Sequence, residues 1–347
     1  MSGMGDRRSF PIADLRAVPG ALIDVRSPSE YSKGHWPGAV NVPLFSDEER
    51  AEVGKTYKKN GRKRAIQLGL EFTGPKLSAI AQALESLCGD TPPRIYCWRG
   101  GMRSASVAWL AELLDLNPRL LLGGYKSYRH WVLEQFEHPW PLRLLGGRTG
   151  TGKTDLLLAL QQCGVAVIDL EGLANHRGSS FGGLGMPAQP STEHYENLLA
   201  EQLDRLRRSH PQQIWLEAES IQVGRCRIPI SFFRQMKEAP VLDIQRTLKE
   251  RVDQLVHVYG PLGEDELAAA IERISRRLGP QRTTEALKAI SRQDWASACT
   301  ATLDYYDRCY DKELDQCPDR TTIDISGKTA EQTAELFIQR GLVVRTA

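Results

Sequence analysis

The sequence has no apolar run approaching the roughly 20 residues that a membrane-spanning helix needs. Its opening stretch, MSGMGDRRSF, lacks the apolar segment of a secretory signal. Charge of one sign is not in excess either, because 45 basic side chains against 43 acidic ones leave a net charge of +2. We therefore expect a cytoplasmic protein without membrane contact, and any nucleic-acid partner must be bound by local basic patches.

Cysteine spacing excludes two further classes of protein. The seven cysteines never occur as Cys-x-x-Cys and their number is odd, so neither a zinc ribbon nor a disulfide framework is predicted. Thiols stay free in a reducing compartment, which leaves a single reactive cysteine usable. With 347 residues, 41% hydrophobic and 25% charged, the chain is long enough for two globular domains.

Short apolar runs alternate with helical patterns in two successive parts of the chain. The first part has candidate strands at 21–25, 39–42 and 94–97 and candidate helices at 77–87 and 105–114. The second part has candidate strands at 142–145, 165–169, 214–217, 241–244 and 322–325, helices at 153–161, 193–208 and 330–340, and a charged helical segment at about 248–310. This alternation predicts an α/β fold, in which an N-terminal parallel sheet with helices on both faces precedes a second α/β domain with a helical C-terminal portion. The stretch His138-Pro139-Trp140-Pro141 discourages helix, and it predicts domains at 1–138 and 139–347.

The most specific motif is Gly147-Arg148-Thr149-Gly150-Thr151-Gly152-Lys153-Thr154, which matches G-x-x-x-x-G-K-[ST] between a strand and a helix. Glycines let backbone N–H groups surround phosphate oxygens, and the helix N-terminus adds positive potential. Lys153 would reach the terminal phosphates and Thr154 could hold Mg²⁺. The motif predicts a phosphate-binding loop, the alternative being an ordinary glycine-rich turn.

The acids that follow leave the reaction of this loop open. Asp169 and Glu171 end the second predicted strand, where kinases often place substrate-binding acids. Glu217 or Glu219 would stand where a hydrolase places the acid that supports Mg²⁺ and water. NTP hydrolysis and the binding of a diphosphate-bearing substrate both fit this pattern.

A second motif is Cys97-Trp98-Arg99-Gly100-Gly101-Met102-Arg103-Ser104, again between a strand and a helix. Such a loop directs N–H groups at the Cys97 sulfur, and with Arg99 and Arg103 nearby it favours the thiolate. A buried core cysteine is the alternative, but two arginines and two glycines are poor core material. The thiolate fits sulfur or selenium transfer and also phosphate ester hydrolysis, for which Asp24 is an arguable acid.

The residues around these motifs resemble known families. Rhodanese domains have an N-terminal signature similar to Leu22-Ile23-Asp24-Val25-Arg26-Ser27-Pro28-Ser29-Glu30-Tyr31, followed by Gly34-His35 and Pro37-Gly38-Ala39-Val40-Asn41-Val42-Pro43. With the Cys97 loop this resemblance covers about the first 135 residues, and it makes Asp24 and Arg26 supporting candidates. The whole chain resembles the bacterial tRNA 2-selenouridine synthase family, most specifically at 97–104, 146–154 and 169–179.

The family resemblance implies a transferase that acts on the wobble uridine of certain tRNAs. In that family 2-thiouridine is S-geranylated from geranyl diphosphate, and selenium from selenophosphate then replaces the geranylthio group. Cys97 matches the family's selenium-carrying cysteine, and residues 147–154 form a natural cradle for the diphosphate of the donor. We accordingly expect geranyl diphosphate and selenophosphate as substrates, Mg²⁺ at Thr154, no tightly bound cofactor, a monomeric protein, and a partner enzyme that supplies selenophosphate.

Further candidates concern tRNA and the geranyl group. A basic run at 55–64, which begins at Lys55, either contacts tRNA phosphates or forms a solvated loop; its candidates for tRNA binding are Lys58, Lys59, Arg62, Lys63 and Arg64. Trp98 could receive the unstacked base or simply pack beneath the Cys97 loop. His176 and Arg177 could bind a second phosphate or the base. The glycine-rich segment that follows is either a plain mobile connector or one wall of a groove for the geranyl group, formed by Phe181, Leu184 and Met186.

Two other classes of function fit the same motifs. One is a nucleotide-dependent sulfur-transfer or regulatory binding module, which nucleotide turnover without tRNA would favour. The other is a Cys-dependent phosphatase, which loss of aryl phosphate hydrolysis in Cys97→Ser would favour.

Overall fold

The computed structural model of the chain describes residues 8–89, 91–314 and 319–346. It divides into two compact units, Met1–Glu134 and Gln135–Ala347. Both units alternate strands with helices around a parallel sheet, so the predicted α/β class is confirmed. Within the described ranges, no helix combines the length and the apolarity that crossing a membrane requires.

The first unit contains five short strands and six helices among its described residues. The strands are β1 (Ser9–Phe10), β2 (Leu22–Asp24), β3 (Val40–Asn41), β4 (Arg94–Tyr96) and β5 (Arg119–Leu121). The helices are α1 (Ile12–Ala17), α2 (Pro28–Lys33), α3 (Asp47–Thr73), α4 (Leu77–Cys88), α5 (Met102–Leu113) and α6 (Gly124–Gln135). All neighbouring strands pair in parallel, in the order β1-β5-β4-β2-β3.

The core of this unit lies where the sheet packs against its helices. Ile23 of β2 and Ile95 of β4 are fully buried, together with Leu84 of α4 and Ala108 of α5. Because β4 is flanked by β5 and β2, the residue after Tyr96 emerges at the carboxyl end of a central strand. Open parallel sheets place ligand sites at this edge.

Two helices of the first unit begin with capping boxes and are absent from the sequence-based predictions. Ser27 is the N-cap of α2, since Glu30 accepts a hydrogen bond from the Ser27 N–H at 3.1 Å and closes a capping box. Ser46 caps α3 in the same way. The basic run at 55–64 lies on α3 rather than in the loop considered as its alternative, and only Gly61 departs from helical geometry, with φ +80°.

The second unit contains six strands and nine helices among its described residues. The strands are β6 (Leu142–Gly146), β7 (Ile214–Glu217), β8 (Gln222–Val223), β9 (Cys226–Arg227), β10 (Val241–Gln245) and β11 (Arg320–Asp324). The helices are α7 (Lys153–Gln162), α8 (Leu170–Ala174), α9 (Thr192–Arg207), α10 (Ile230–Glu238), α11 (Leu248–Tyr259), α12 (Glu264–Leu278), α13 (Pro280–Ile290), α14 (Trp295–Leu314) and α15 (Ala330–Gln339). The main sheet is parallel in the order β11-β10-β6-β7, and β8 and β9 form a separate antiparallel pair.

The prediction of a regular strand at 165–169 is wrong. Residues 165–168 run beside β7, with the Ile168 N–H donating to the Trp215 carbonyl at 2.9 Å, but only isolated bridges form there. The extended segment ends at Asp169, because its carboxylate accepts the Gly172 N–H at 2.6 Å and caps α8. The acids that follow this segment therefore belong to a helix start.

The charged segment at 248–310 is helical, as predicted, and forms a subdomain with its own core. Leu267, Ile271, Ile274 and Leu278 recur at helical spacing along α12 and are buried against α13 and α14. A one-sided apolar stripe of this kind buries its face against neighbouring helices and leaves the charges to solvent. The subdomain stands between β10 and β11 in the chain.

A buried ion pair fixes the carboxyl end of β2. Asp24 and Arg26 are 0% and 1% exposed, and Arg26 Nη2 lies 2.6 Å from Asp24 Oδ2. Arg26 also donates to the Gly34 carbonyl at 2.7 Å and lies over the Tyr125 ring. Burial opposes its charge, yet hydrogen bonding to Asp24 raises the pKa of Arg26.

Replacing Arg26 by methionine should lower the free energy of unfolding of the first unit by about 3–5 kcal/mol, because it leaves the Asp24 carboxylate buried and unpaired. The double change Asp24→Leu with Arg26→Met should recover part of this loss. Urea titrations provide the measurement. Glu112→Gln, which removes the partly exposed partner of Arg8, is the control; an equal effect of Arg26→Met and Glu112→Gln would show that burial of the pair does not matter.

Candidate functional site

Cys97 occupies the first position after β4, in a loop that ends where α5 begins. Its side chain is 3% exposed. The Gly101 N–H donates to Cys97 Sγ at 3.3 Å, and the Ser104 hydroxyl lies 3.2 Å from the same sulfur. The sulfur thus lies against the N-terminus of α5, which favours a negative charge.

The outer side of the Cys97 loop is held by the start of α6. The Tyr125 N–H donates to the Cys97 carbonyl at 2.7 Å, and the Lys126 N–H donates to the Trp98 carbonyl at 3.0 Å. Gly124, with φ +62°, lies so close that a Cβ would come within 2.4 Å of the Cys97 carbonyl oxygen. Only glycine fits this approach.

The surroundings of Cys97 stabilise its thiolate. Burial alone would raise the pKa of the Cys97 thiol, but the hydrogen bonds from Ser104 and Gly101 and the charge of Arg103 outweigh burial, and the pKa is lowered. Since the thiolate is the reactive form of cysteine, this loop prepares Cys97 as a nucleophile.

The predicted partners of Cys97 differ in how firmly they are held. Arg103 is anchored by Glu30, with Nη1 2.5 Å from Oε2, whereas Arg99 is exposed. Trp98 is 37% exposed and its ring lies 5.8 Å from that of Tyr125. Arg103 therefore contributes a fixed charge, and Trp98 and Arg99 present their side chains to solvent.

Asp24 and Arg26 support the loop from the neighbouring strand. Asp24 is paired in register with Tyr96, the residue before Cys97. Both carboxylate oxygens of Asp24 accept hydrogen bonds from the Arg26 side chain. Asp24 is thus committed to a buried ion pair, which argues against it as the leaving-group acid of a phosphatase.

A cleft separates the Cys97 loop from α3. Its lining includes the apolar residues Phe45, Ala65 and Leu70, and on the side of the loop Arg99, Met102 and Arg103. Of the predicted tRNA contacts, Lys58 and Arg62 line this cleft. Lys59, Lys63 and Arg64 lie on the same helix as exposed side chains outside the lining of the cleft.

In the second unit, residues 147–154 connect β6 to α7. Gly150 and Gly152 have φ +83° and +80°, a conformation that L side chains rarely adopt. Lys153 Nζ donates to the Gly147 carbonyl at 2.7 Å, so the lysine lies across its own loop. This arrangement is that of a phosphate-binding loop at a helix N-terminus.

Two carbonyls of the phosphate-binding loop accept hydrogen bonds from arginines that are distant in sequence. Arg251 Nε donates to the Thr149 carbonyl at 2.8 Å, and Arg246 Nε donates to the Thr151 carbonyl at 3.0 Å. Arg251 is in turn held by Asp307 of α14 at 2.9 Å. The helical subdomain thereby fixes the loop conformation.

Helix α14 also contacts the loop directly. The Gly147 N–H donates to the Tyr310 hydroxyl, and Arg148 forms a two-bond ion pair with Asp311, with distances of 3.0 and 2.7 Å. Arg148, predicted to bind phosphate, is therefore engaged on the outer side of the loop by α14.

The acids near the loop divide into two sets. Thr154 Oγ1 donates to Glu171 Oε2 at 2.8 Å, and Glu171 and Glu219 line the same cleft as Lys153. A Cβ at Gly178 would lie 2.5 Å from Glu171 Oε1 and 2.8 Å from Glu219 Oε1, so Gly178 covers both carboxylates. Burial raises the pKa of Glu171, although Lys153 and Thr154 act in the opposite direction.

The second set lies behind the cleft. Glu217 is 0% exposed, and burial with Asp169 and Glu171 nearby holds its pKa well above the ordinary range. Its Oε2 accepts the Leu170 N–H at 3.2 Å. Since Asp169 caps α8, Glu171 and Glu219 are the carboxylates that face the cleft.

The oxygen atoms around Thr154 are of the kind that coordinate Mg²⁺. The described residues include no cluster of three or more His, Cys, Asp or Glu arranged to hold a metal ion. Mg²⁺ in phosphate sites, however, takes one or two carboxylates, a hydroxyl, waters and phosphate oxygens. Thr154, Glu171 and Glu219 are oxygen donors of this kind.

Of the remaining candidates, Arg177 faces the cleft and His176 does not. Arg177 lies in the cleft lining, where its guanidinium stacks over the Tyr259 ring at 5.8 Å. Burial lowers the pKa of His176, which packs beneath Gly182. Phe181 packs near Tyr259 and Tyr306.

The sequence motifs missed the residues that hold each loop from outside. Ser104 lies within the Cys97 motif and could have been recognised as a hydroxyl near the sulfur. Tyr310 contacts a residue 163 positions away, and Arg251 one 102 positions away. Contacts over such separations leave no local pattern.

The fold and the two loops define an α/β protein in which a rhodanese-like domain precedes a phosphate-binding-loop domain. A family model for the rhodanese-like domain matches residues 12–130, and one described as the tRNA 2-selenouridine synthase AAA domain matches residues 140–339. A tRNA 2-selenouridine synthase of Marinobacter nauticus is 36% identical, over 87% of this chain and 90% of its own length. One of Alcanivorax borkumensis is 37% identical, over 91% and 94% of the two chains. The chain belongs to the tRNA 2-selenouridine synthase family.

The Cys97 cradle can be tested by following alkylation of the Cys97 peptide with iodoacetamide against pH. Because the pKa of Cys97 is lowered, the rate should reach its midpoint below the pH typical of a free thiol. Ser104→Ala removes a hydrogen bond to the sulfur and should shift the midpoint upward. Ser106→Ala is the matched control, since that hydroxyl bonds only the Met102 carbonyl of its own helix; an unchanged midpoint in Ser104→Ala would contradict the assignment.

Proposed function

We propose that this protein is a transferase that converts 2-thiouridine at the tRNA wobble position to 2-selenouridine. S-geranylation by geranyl diphosphate comes first, and selenium from selenophosphate then replaces the geranylthio group. The observation that carries the proposal is the Cys97 cradle, in which a buried thiol has a lowered pKa. In this member of the family, the loop that carries Cys97 borders a cleft lined by apolar and cationic side chains.

In the first step the 2-thio sulfur of the uridine attacks C1 of geranyl diphosphate. A C–S bond forms, the C–O bond to the diphosphate breaks, inorganic diphosphate leaves with the electron pair, and the N3 proton of the base passes to solvent. The N–H groups of residues 147–154 and the Lys153 ammonium, released from the Gly147 carbonyl, would stabilise that leaving group. Mg²⁺ held by Thr154 with Glu171 and Glu219 would supply further charge neutralisation.

In the second step selenium attacks C2 of the base and the geranylthiolate leaves. The phosphoryl group of selenophosphate passes to water, so the products are selenouridine, geranylthiol and phosphate. Alkylation makes this possible, because a thiolate is a better leaving group than a thione sulfur. We assign Cys97 as the catalytic residue of this step, with Arg99 and Arg103 binding the anionic donor. An enzyme that supplies selenophosphate is the corresponding partner.

The cleft beside Cys97 supports tRNA as the substrate. A wobble nucleotide is unstacked in its loop, so its base can enter an apolar cleft while its phosphates stay outside. Lys58 and Arg62 on α3 and Arg99 on the Cys97 loop line that cleft. Trp98, 37% exposed next to the nucleophile, is placed to stack on a base.

Substitutions in the two loops should separate the two steps. With 2-thiouridine tRNA, geranyl diphosphate and selenophosphate, Cys97→Ser should abolish selenouridine while S-geranylated tRNA accumulates. Lys153→Ala should reduce the rate of geranylation by about 10²-fold or more. This is the loss of rate that removal of one hydrogen-bond donor to a developing charge causes. Mass spectrometry of the wobble nucleoside measures both, with Cys163→Ser and Lys249→Ala as matched controls. Equal loss of both steps in each variant would refute this division.

Binding of tRNA phosphates by α3 predicts a defined salt dependence. The double variant Lys58→Ala/Arg62→Ala should weaken tRNA binding and lower the slope of log K against log salt by about 0.7 for each phosphate that is no longer neutralised. Filter binding between about 50 and 300 mM salt, the range over which such slopes are steep, measures this change. Arg234→Ala/Lys237→Ala, which removes equal charge from α10, should leave the slope unchanged. A slope that the α3 variant does not alter would place the tRNA on another surface.

A further inference from the structure

The cleft that contains Lys153 has a second wall, which lies outside the phosphate-binding loop. The cleft has a volume of about 460 Å³, within the range of small-molecule sites, about 300–1,000 Å³. Lys153 and its loop form one side of it. Four side chains from α11, α12, α14 and the residues after α8 form what we call the arginine–tyrosine wall, and they are Tyr259, Arg277, Tyr305 and Arg177.

The two arginines of this wall keep their charge available to a ligand. Arg177 donates to the Leu184 carbonyl at 3.1 Å and lies over the Tyr259 ring. The Arg277 guanidinium interacts with the Tyr305 hydroxyl. Both contacts are with uncharged groups, and among the described residues neither arginine has a carboxylate at ion-pair distance. The cleft therefore has two sets of cations, of which the loop uses only one.

The tyrosines of the wall are placed to receive a planar group. The Tyr305 ring meets Tyr306 edge to face, with ring centroids 5.3 Å apart, and this contact holds the ring in place. Tyr305 lines the cleft and is only partly buried. Phenol rings beside guanidinium groups are the surfaces on which proteins stack and hold unpaired nucleotides.

The chemistry of the wall identifies the class of ligand. An aliphatic chain would leave both guanidinium groups without an anion and would take the Glu171 and Glu219 carboxylates out of water. A free nucleotide with its phosphates on the loop would bring a base to the wall but no second anion to the arginines. A strand of RNA supplies a base and a phosphate at every residue, so it satisfies the tyrosines and the arginines together.

We propose that the arginine–tyrosine wall binds one nucleotide of a single-stranded RNA segment, with the base on Tyr305 and a phosphate on Arg177 and Arg277. This nucleotide is the acceptor of the group transferred at residues 147–154. The identity of the transferred group rests on the proposed function, whereas RNA binding to the wall does not. The second unit then has an acceptor site of its own, and the wobble nucleotide occupies two sites in succession, this wall for alkylation and the Cys97 cleft for replacement of sulfur.

Photocrosslinking tests binding without any transfer. An anticodon stem-loop RNA with 5-iodouridine at the wobble position, irradiated with the full-length protein, should crosslink to the α14 peptide that contains Tyr305. Tyr305→Ala should remove this crosslink, and Cys97→Ser should leave it unchanged. Saturating ATP and saturating tripolyphosphate should affect it equally, because both occupy only the loop.

The kinetics of geranylation provide the second arm. Tyr305→Ala should raise KM for 2-thiouridine tRNA about five- to hundredfold, the effect of losing one stacked base. Arg277→Ala should raise it about tenfold or more, through loss of a charged hydrogen bond to phosphate. The kcat at saturating tRNA, the affinity for inorganic diphosphate and the selenation of tRNA geranylated beforehand should not change.

Two variants are matched controls. Tyr305→Phe keeps the ring and should retain the wild-type KM, which a role of the hydroxyl in folding would not allow. Arg276→Ala removes the same charge from an adjacent exposed position of α12, outside the lining of the cleft, and should have no effect.

The outcomes separate the two proposals. A crosslink at Tyr305 without any S-geranylated tRNA means that the RNA site stands and the proposed function fails. Geranyl transfer with unchanged KM in Tyr305→Ala and Arg277→Ala, and no crosslink on α14, would place the acceptor elsewhere and overturn this inference. Removal of the crosslink by ATP but not by tripolyphosphate would equally overturn it, because the wall would then hold the base of a free nucleotide bound at the loop.

Discussion

A loop that directs its N–H groups toward one anion turns its carbonyl oxygens outward, and each outward oxygen needs a donor of its own. Both functional loops of this protein meet that requirement with donors from a later part of the chain. The Cys97 loop receives the backbone N–H groups of Tyr125 and Lys126. The phosphate-binding loop receives the side chains of Arg246 and Arg251. The rest of each site depends on this outer layer, because without it the loops would lose the conformation that concentrates N–H groups on sulfur or phosphate.

The two outer layers differ in the kind of donor that they use. Backbone donors at the Cys97 loop come from Gly124 onward, where the close approach admits no side chain. That gives a tight cradle around a single sulfur atom. The arginine side chains at the phosphate-binding loop carry charge, which adds to the positive potential around residues 147–154. Asp307 limits their mobility by pairing with Arg251.

Local pattern predicted the elements that carry a periodic apolar stripe or a motif. Helix α4, predicted at 77–87, spans Leu77–Cys88, and the strand and helix around Lys153 lie within one residue of their predicted bounds. Helix α3 was missed because its residues are mostly polar and half-exposed, so its stability comes from the Ser46 cap and from packing of a few small residues. The segment at 165–168 has strand composition, but the edge of a sheet offered it only isolated pairing. In each case tertiary context decided the outcome.

The reactive groups of the candidate site could be predicted from the sequence, whereas the residues that hold them in place could not. Cys97 and Lys153 stand inside contiguous motifs, and the expectation that Cys97 favours its thiolate agrees with the hydrogen bonds at its sulfur. Choosing between Glu217 and Glu219 required the structure, since the two are separated by one residue but only Glu219 faces the cleft.

Helix α14 connects the core of the helical subdomain to the phosphate-binding loop. Ala298 near its start packs in that core, and Tyr310 near its end bonds the loop; the stretch between these two positions spans about 18 Å of helix. Inserting or deleting one residue between them would rotate everything beyond it by about 100°. Either the packing of Ala298 in the subdomain core or the hydrogen bond to Gly147 would then be broken. Side chains of α14 can therefore be replaced one at a time, but the number of residues between these two positions sets both contacts together.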